Sequence, residues 1–155
     1  MIYAISVGSN IGDAEKNIKE GIIAVDGKLG SVFGISRFYK TKAWGKTDQD
    51  DFVNAAFLLG SELPPPVLML ALKDLEKVLG RVESERWGPR LIDFDIIFAD
   101  AISYSDEIVQ IPHPRAKERQ FVIEPLVDLV PDFVHPEWGL PLHKILAELK
   151  QNTTL

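Results

Sequence analysis

Cysteine is absent from the 155 residues, which excludes disulfide bonds, thiolate metal sites and a cysteine nucleophile. Long apolar runs are also missing, because no stretch reaches the roughly 18 residues that a membrane helix needs. The first ten residues, MIYAISVGSN, lack the basic lead-in and long apolar run of a signal peptide. These absences predict a cytoplasmic protein that does not contact the membrane.

Basic residues are in deficit, since 17 Lys and Arg face 23 Asp and Glu and the net charge is −6. This balance argues against a general nucleic-acid-binding protein. It leaves an anionic small substrate open, because the charge inside a cleft can oppose the net charge. Neither G-x-x-x-x-G-K-[ST] nor G-x-G-x-x-G occurs, so the two common nucleotide-phosphate loops are excluded. The three histidines lack zinc-ligand spacing.

The order of helix and strand patterns predicts the fold class. Apolar residues make up 46% of the chain, enough to form the core of one domain over residues 1–155. Up to residue 100 the patterns read βαββαβ, the order of a ferredoxin-like α+β sandwich. The predicted elements are strands 2–7, 31–41, 52–60 and 91–100, a helix capped by Asp13 that stops at Gly27 or Gly30, and a helix over 64–80. Beyond residue 100, the chain predicts two small hairpins and short helices as C-terminal additions.

Two carboxylates lie in the middle of the last predicted strand of this core. Because side chains alternate along a strand, Asp93 and Asp95 share one face and their Cα atoms lie roughly 7 Å apart. The apolar residues Ile92, Phe94, Ile96 and Phe98 are predicted to share the opposite face. One interpretation is a solvated edge strand, although its apolar character argues against an edge. The other is a pair of ligands for Mg²⁺, which favours oxygen donors.

Cationic residues flank this strand in the sequence. Arg81, Arg86 and Arg90 precede it, whereas Arg115, Lys117 and Arg119 follow a later turn, with His113 just ahead of them. Arginine suits bidentate phosphate binding, but nearby glutamates could also neutralise these residues as ordinary surface charge.

Aromatic residues and one amide form a second group. Phe52 and Asn54 share a strand face, and Trp44 and Trp87 lie in loops. An amide beside aromatic rings suits a flat, hydrogen-bonding heterocycle. Alternatively, Phe52 and Trp87 cap the core.

Taken together, these segments resemble the 6-hydroxymethyl-7,8-dihydropterin pyrophosphokinase family of folate biosynthesis. RWGPRLIDFDII resembles the family signature, and the resemblance covers nearly the whole chain. The other matching segments are VGSNIGD, FYKTKAWGKTDQDDFVNAA, LEKVLGR and IPHPRAKERQFVIEPL. The resemblance implies an enzyme that transfers the β,γ-diphosphate of ATP to the hydroxymethyl group of the dihydropterin and releases AMP, with two Mg²⁺ ions. We expect it to act as a monomer on small-molecule substrates.

The resemblance also implies a role for particular residues. Asp93 and Asp95 would bind the metal ions, and Arg81 and Arg90 would complete the catalytic set. ATP would be contacted by Lys73, Glu76, Arg86, Trp87, Ile96, His113 and Arg119. The pterin would be bound by Thr41, Lys42, Trp44, Phe52, Asn54 and Phe121, with its ring between the two phenylalanines.

Some positions depart from the family pattern. Glu83 stands where many relatives have a basic residue, Lys42 replaces a common proline, and Phe52 replaces a tyrosine. Two other functions remain open from the sequence: a non-catalytic nucleotide-binding module of ferredoxin-like fold, and another Mg²⁺-dependent phosphoryl or nucleotidyl transferase.

Overall fold

The computed structural model describes residues 1–41, 51–80 and 91–153. Its helices and strands follow the predicted order, with a short 3₁₀ turn at Ala116–Glu118. The strands are β1 (Ile2–Ser9), β2 (Ser31–Ile35), β3 (Tyr39–Thr41), β4 (Phe52–Gly60), β5 (Asp93–Ala99), β6 (Tyr104–Ser105) and β7 (Gln110–Ile111). The helices are α1 (Ala14–Val25), α2 (Pro65–Gly80), α3 (Gln120–Leu129) and α4 (Leu142–Thr153).

The main sheet has the strand order β2-β4-β1-β5, and β3 also pairs with β4. β1 is antiparallel to both of its neighbours, β4 and β5. With α1 after β1 and α2 after β4, this arrangement confirms the predicted ferredoxin-like fold. β6 and β7 form the small hairpin expected after residue 100.

The sheet is covered on both faces, and each face has its own core. Tyr3, Ile5 and Val7 of β1 belong to the first core, together with the buried residues of α1 and α2. Ala4 of β1 and Ala56 of β4 belong to the second core, together with α3 and α4. The predicted C-terminal helices therefore form a third layer, packed on the face that α1 and α2 leave uncovered, whereas Val109 and Ile111 of the hairpin belong to the first core.

The segment 31–41, predicted as one strand, is two strands. β2 pairs with the last part of β4, where Ile35 lies opposite Phe57, and β3 pairs with its beginning, where Tyr39 lies opposite Asn54. Between these pairs the segment has three residues, 36–38, and β4 has only two. The Ser36 hydroxyl accepts a hydrogen bond from the Ala56 amide at 2.8 Å, and so replaces a strand-to-strand bond.

β5 differs from the expectation in two ways. It lies at the edge of the sheet, although its apolar residues had argued against an edge. Phe98, predicted to share a face with Phe94 and Ile96, belongs instead to the second core. The pairing of β5 with β1 shifts by one residue, since Ala4 lies opposite Phe98 and Ile5 opposite Ile96. The additional residue, Ile97, forms a β-bulge that turns Phe98 to the other face.

The second predicted hairpin, near residues 133–142, is reduced to one bridge between Val134 and Pro141. Prolines at 136 and 141 lack the amide hydrogens that a longer ladder needs. Of the helices in the described ranges, none is both long and apolar enough to span a membrane.

Candidate active site

Polar side chains meet at one end of the sheet, on the face that carries α3. Gly8 of β1 lies opposite Asn54 of β4 on one side and opposite Asp93 of β5 on the other. Directly paired residues project to the same face of a sheet, so Asn54 and Asp93 border a shared surface. Two strand spacings separate their Cα atoms by about 10 Å. The predicted pterin-reading amide and the predicted metal ligands therefore lie on the same face.

Gly8 has no side chain, so it leaves the surface between Asn54 and Asp93 open. A Cβ atom on Gly8 would lie 2.9 Å from Oδ1 of Asn54, too close unless the amide moved. The φ angle of Gly8 is outside the left-handed region, so the backbone does not require glycine here. A glycine inside a strand often marks a place where another group approaches the backbone closely. Here the absence of a side chain at Gly8 leaves room beside Oδ1 of Asn54.

Asn54 is held by its neighbour across the β3–β4 pair. Its Nδ2 donates a hydrogen bond of 2.9 Å to Oγ1 of Thr41, and its side chain is buried. This bond leaves Oδ1 of Asn54 on the side of Gly8. The amide is thus oriented before any ligand binds.

The two aspartates project from β5 on either side of Phe94, and each side chain is about one-third exposed. Lys73 of α2 lies between them: its Nζ is 3.4 Å from Oδ1 of Asp93 and 3.8 Å from Oδ1 of Asp95. Two carboxylates this close repel each other unless a cation is near. Lys73 supplies that cation in this structure.

Lys73 and Glu76 also bind the backbone of β5. Nζ of Lys73 donates to the carbonyl oxygen of Phe94 at 2.6 Å, and Oε2 of Glu76 accepts from the Phe94 amide at 2.7 Å. The two side chains form an ion pair of 2.9 Å. Together they cover the outer edge of β5, which explains how an apolar strand is accommodated at the rim of the sheet.

The charges at this site act on one another. Burial, followed by the charge of Asp93, raises the pKa of Asp95, although Lys73, His113 and Arg119 counteract this. Burial also lowers the pKa of His113, against the opposing effect of Asp95. Burial favours a lower pKa for Lys73, but the surrounding carboxylates outweigh it and the pKa is raised. His113 and Arg119 thus lie close enough to Asp95 to affect its charge.

The donor chemistry of this end of the sheet suits Mg²⁺. Within residues 1–41, 51–80 and 91–153, no three His, Asp or Glu side chains are grouped to hold a metal ion alone. Mg²⁺ is commonly bound by one or two carboxylates and completes its shell with water and substrate phosphates. Asp93 and Asp95 fit that pattern, because both are partly exposed and supply only oxygen donors.

Other predicted site residues lie around this surface. Arg119 precedes α3, and its guanidinium lies 5.7 Å from the ring centroid of Phe121 in the first turn. Phe52 lies opposite Thr41 at the start of β4. The side chain of Ile96 is fully buried in the first core, so only its backbone is available to a nucleotide. Outside the described residues lie Lys42, Trp44, Arg81, Arg86, Trp87 and Arg90.

The sequence patterns do not predict two features of the site: the role of Gly8 and the contact of Lys73 and Glu76 with Phe94. Gly8 enters the sequence patterns only as part of the segment VGSNIGD, although a glycine within a strand is itself a signal of close approach. The contact of Lys73 and Glu76 with Phe94 depends on how α2 packs beside β5, which no local pattern specifies.

Comparisons with known proteins show what the chain is similar to. Residues 4–131 match the family described as 7,8-dihydro-6-hydroxymethylpterin-pyrophosphokinase (HPPK). The 2-amino-4-hydroxy-6-hydroxymethyldihydropteridine pyrophosphokinase of Methylorubrum extorquens is 40% identical over 131 residues, covering 84% of this chain and 83% of that protein. The enzyme of the same name from Aquifex aeolicus is 35% identical over 149 residues, covering 93% and 89%.

A solved structure shows the same fold. Wild-type Plasmodium falciparum HPPK-DHPS with STZ-DHP superposes with a TM-score of 0.79 at 14% identity. The match covers 99% of this chain but 44% of that one, so the chain spans less than half of its length. At this identity the likeness concerns the fold alone, whereas the matched residues and the bacterial relatives establish that the chain belongs to the 7,8-dihydro-6-hydroxymethylpterin-pyrophosphokinase family.

Proposed function

We propose that this chain performs the family's reaction at the end of the sheet where Gly8, Asn54, Asp93 and Asp95 meet. The reaction is the transfer of pyrophosphate from ATP to 6-hydroxymethyl-7,8-dihydropterin in folate biosynthesis, with release of AMP. Family membership supports the activity. The observation that supports this location is the register that puts Asn54 and Asp93 on one face, opposite the same glycine.

Asn54 binds the pterin in this proposal. Its Oδ1 is left on the Gly8 side by the bond from Nδ2 to Thr41, and it would accept a hydrogen bond from the ring. Phe52 and Phe121 are both partly exposed and would stack on its faces. The hydroxymethyl group would extend over Gly8 towards β5.

Asp93 and Asp95 would hold two Mg²⁺ ions at the phosphate end of ATP. The ions, when bound, would neutralise charge on the phosphates and on the leaving AMP. Arg119 and His113 lie near Asp95 and would contact phosphate oxygens. The planar guanidinium of Arg119 suits bidentate hydrogen bonds to phosphate. Phosphoryl transfer depends mainly on such positioning and charge neutralisation. We assign no general base to the described residues.

The two other functions left open by the sequence are not favoured. A non-catalytic binding module has no need for paired carboxylates beside Asn54. Another Mg²⁺-dependent transferase would share Asp93 and Asp95, but family membership does not support it.

We further propose that residues 1–155 form a single domain, and that the protein acts as a monomer and resides in the cytoplasm. In support, one chain supplies all the described site residues, and the reaction consumes ATP. The monomer proposal is tested by measuring the molar mass of the active species in solution, and the single-domain proposal by whether urea unfolds residues 1–155 in one cooperative transition.

Product analysis tests the proposed function. The protein is incubated with ATP, Mg²⁺ and 6-hydroxymethyl-7,8-dihydropterin, and the nucleotide products are separated. We expect AMP and pterin diphosphate in equal amounts. ADP would indicate a simple kinase, free diphosphate would indicate nucleotidyl transfer, and no turnover would indicate a binding module; each of these outcomes would refute the proposal.

A further inference from the structure

At the outer edge of β5, α2 binds the backbone of Phe94, the residue between the two aspartates. Phe94 lies opposite Val7 of β1, but its amide and carbonyl are bonded to α2. In an antiparallel pair, successive residues direct these groups alternately towards the partner strand and away from it. The backbone groups of Phe94 therefore face outwards, where an edge strand normally meets solvent.

Side chains of α2 satisfy both of these groups. Glu76 accepts from the amide at 2.7 Å and Lys73 donates to the carbonyl oxygen at 2.6 Å. The ion pair between them, 2.9 Å long, joins the two contacts. The Glu76 side chain is only 14% exposed, so it lies under the strand rather than in the open site.

The contacts of Glu76 and Lys73 with Phe94 lie where they affect the orientation of both aspartates. Asp93 and Asp95 are the residues on either side of Phe94, so the orientation of that residue sets the direction in which both carboxylates leave the strand. An edge strand is restrained by a partner on one side only. Without the contacts from α2, this end of β5 would be free to twist.

We propose that Glu76, together with Lys73, is a positioning residue that holds the Phe94 peptide so that Asp93 and Asp95 point into the site. The proposal rests on the proposed function. It differs from the role implied by the family resemblance, in which both residues contact ATP. Glu76 acts on Asp93 and Asp95 through the backbone of Phe94. Lys73 also lies between the two aspartates.

The test compares three variants by two measurements. Glu76→Ala removes the acceptor, Glu76→Gln keeps an oxygen that can accept from the amide, and Asp74→Ala removes an exposed carboxylate from the same helix as a control. The hydrogen-exchange rate of the Phe94 amide reports whether its hydrogen bond to Glu76 is present. Mn²⁺ binding in the presence of α,β-methylene-ATP, followed by electron paramagnetic resonance, reports the metal ligands.

In Glu76→Ala we expect Phe94 exchange to rise about tenfold and the Mn²⁺ dissociation constant to rise about tenfold, as for loss of a hydrogen bond to a charged group. Glu76→Gln is expected to stay within about threefold of the wild type in both, and Asp74→Ala to match the wild type. Unchanged Phe94 exchange in Glu76→Ala would overturn the proposal. Equal Mn²⁺ losses in Glu76→Ala and Glu76→Gln, with Phe94 exchange unchanged, would point to a direct contact with ATP instead.

The wild-type protein supplies a test that does not depend on the stability of any variant. Its Phe94 amide must be protected, and rapid exchange there would overturn the proposal. Failure of the proposed function gives a different result: wild-type protein with α,β-methylene-ATP would then bind no Mn²⁺, while Phe94 exchange would still report the contact with Glu76.

Discussion

Asn54 and Asp93 lie opposite the same residue, Gly8, from the two strands that flank β1. This register sets the spacing between the amide that we assign to the pterin and the carboxylate that we assign to the metal ions. It depends on β1 being the central strand between β4 and β5, as the ferredoxin-like order requires. The fold thereby brings together two ligand sites that are 39 positions apart in sequence.

Replacing the aspartates tests their assignment. Asp93→Asn and Asp95→Asn are expected to reduce AMP release about a hundredfold or more, because an amide cannot supply the lost negative charge to a metal ion. Circular dichroism should show an intact fold, since both side chains are partly exposed. Asp74→Asn is the matched control. Near-normal turnover by either variant would remove that aspartate from the metal site.

Gly8→Ala tests the open surface between the two sites. The new methyl group would displace Oδ1 of Asn54, 2.9 Å away, so we expect the KM for the pterin to rise about tenfold. Binding of α,β-methylene-ATP without pterin should be unchanged. Stability should stay level or rise by about 0.5–1 kcal/mol, because glycine disfavours a strand.

Gly60→Ala is the control for this experiment. Gly60 is at the other end of β4, where a Cβ atom would meet only a carbonyl oxygen at 3.9 Å. If both glycine variants changed the pterin KM equally, the effect would not arise from the space beside Asn54.

Thr41 is predicted to orient Asn54. Thr41→Val keeps the shape of the side chain but removes the oxygen that accepts from Nδ2, so pterin affinity should fall about fivefold, the value of one neutral hydrogen bond. Thr41→Ser keeps that oxygen and should retain most of the affinity. Isothermal titration with the pterin in the presence of the ATP analogue measures both. Equal losses in the two variants would contradict an orienting role.

Away from the site, Asp128 of α3 makes stability depend on pH. Arg37 binds its carboxylate through Nη2 at 2.8 Å and Nε at 3.2 Å, and the Tyr39 hydroxyl also donates to it. The hydrogen bond from Arg37 is the main cause that lowers the pKa of Asp128 below its ordinary value. The folded state therefore favours the ionised form. This stabilisation is present above the ordinary pKa of 3.8 and is lost as the pH falls through the lower folded-state value.

Urea unfolding of the wild type and Asp128→Asn measures this effect. At pH 7 the wild type should have the higher midpoint, and the difference should narrow at pH 3 and below. Asp74→Asn, which changes an exposed carboxylate away from Arg37, is the matched control at pH 7. A difference between wild type and Asp128→Asn that stayed constant with pH would contradict the assignment.

Much of the fold could be predicted because its signals are local. The periodicity of α1 and α2 and the alternation along β1 and β4 depend on residues close in sequence. The alternation around Phe94 likewise placed Asp93 and Asp95 on one face, as β5 shows.

The differences arise from contacts between distant segments. The predicted strand is interrupted at Ser36, whose hydroxyl accepts a hydrogen bond from the amide of Ala56, 20 positions away. Ile97 forms a bulge only through its pairing with β1. β5 lies at an edge of the sheet, where Glu76 and Lys73 of α2 bind the outward backbone groups of Phe94. None of these partners can be identified from the local pattern around the residue concerned.

Paramagnetic broadening by Mn²⁺ shows whether the metal ions lie beside Gly8 and Asn54. With Mn²⁺ and α,β-methylene-ATP bound, the amide signal of Gly8 and the side-chain amide signal of Asn54 should broaden strongly. The Gly60 amide should broaden far less, because it lies opposite Ile2, about 20 Å along β1 from Gly8. Broadening at Gly60 with sharp signals from Gly8 and Asn54 would contradict the account, because the metal ions would then lie at the other end of the sheet.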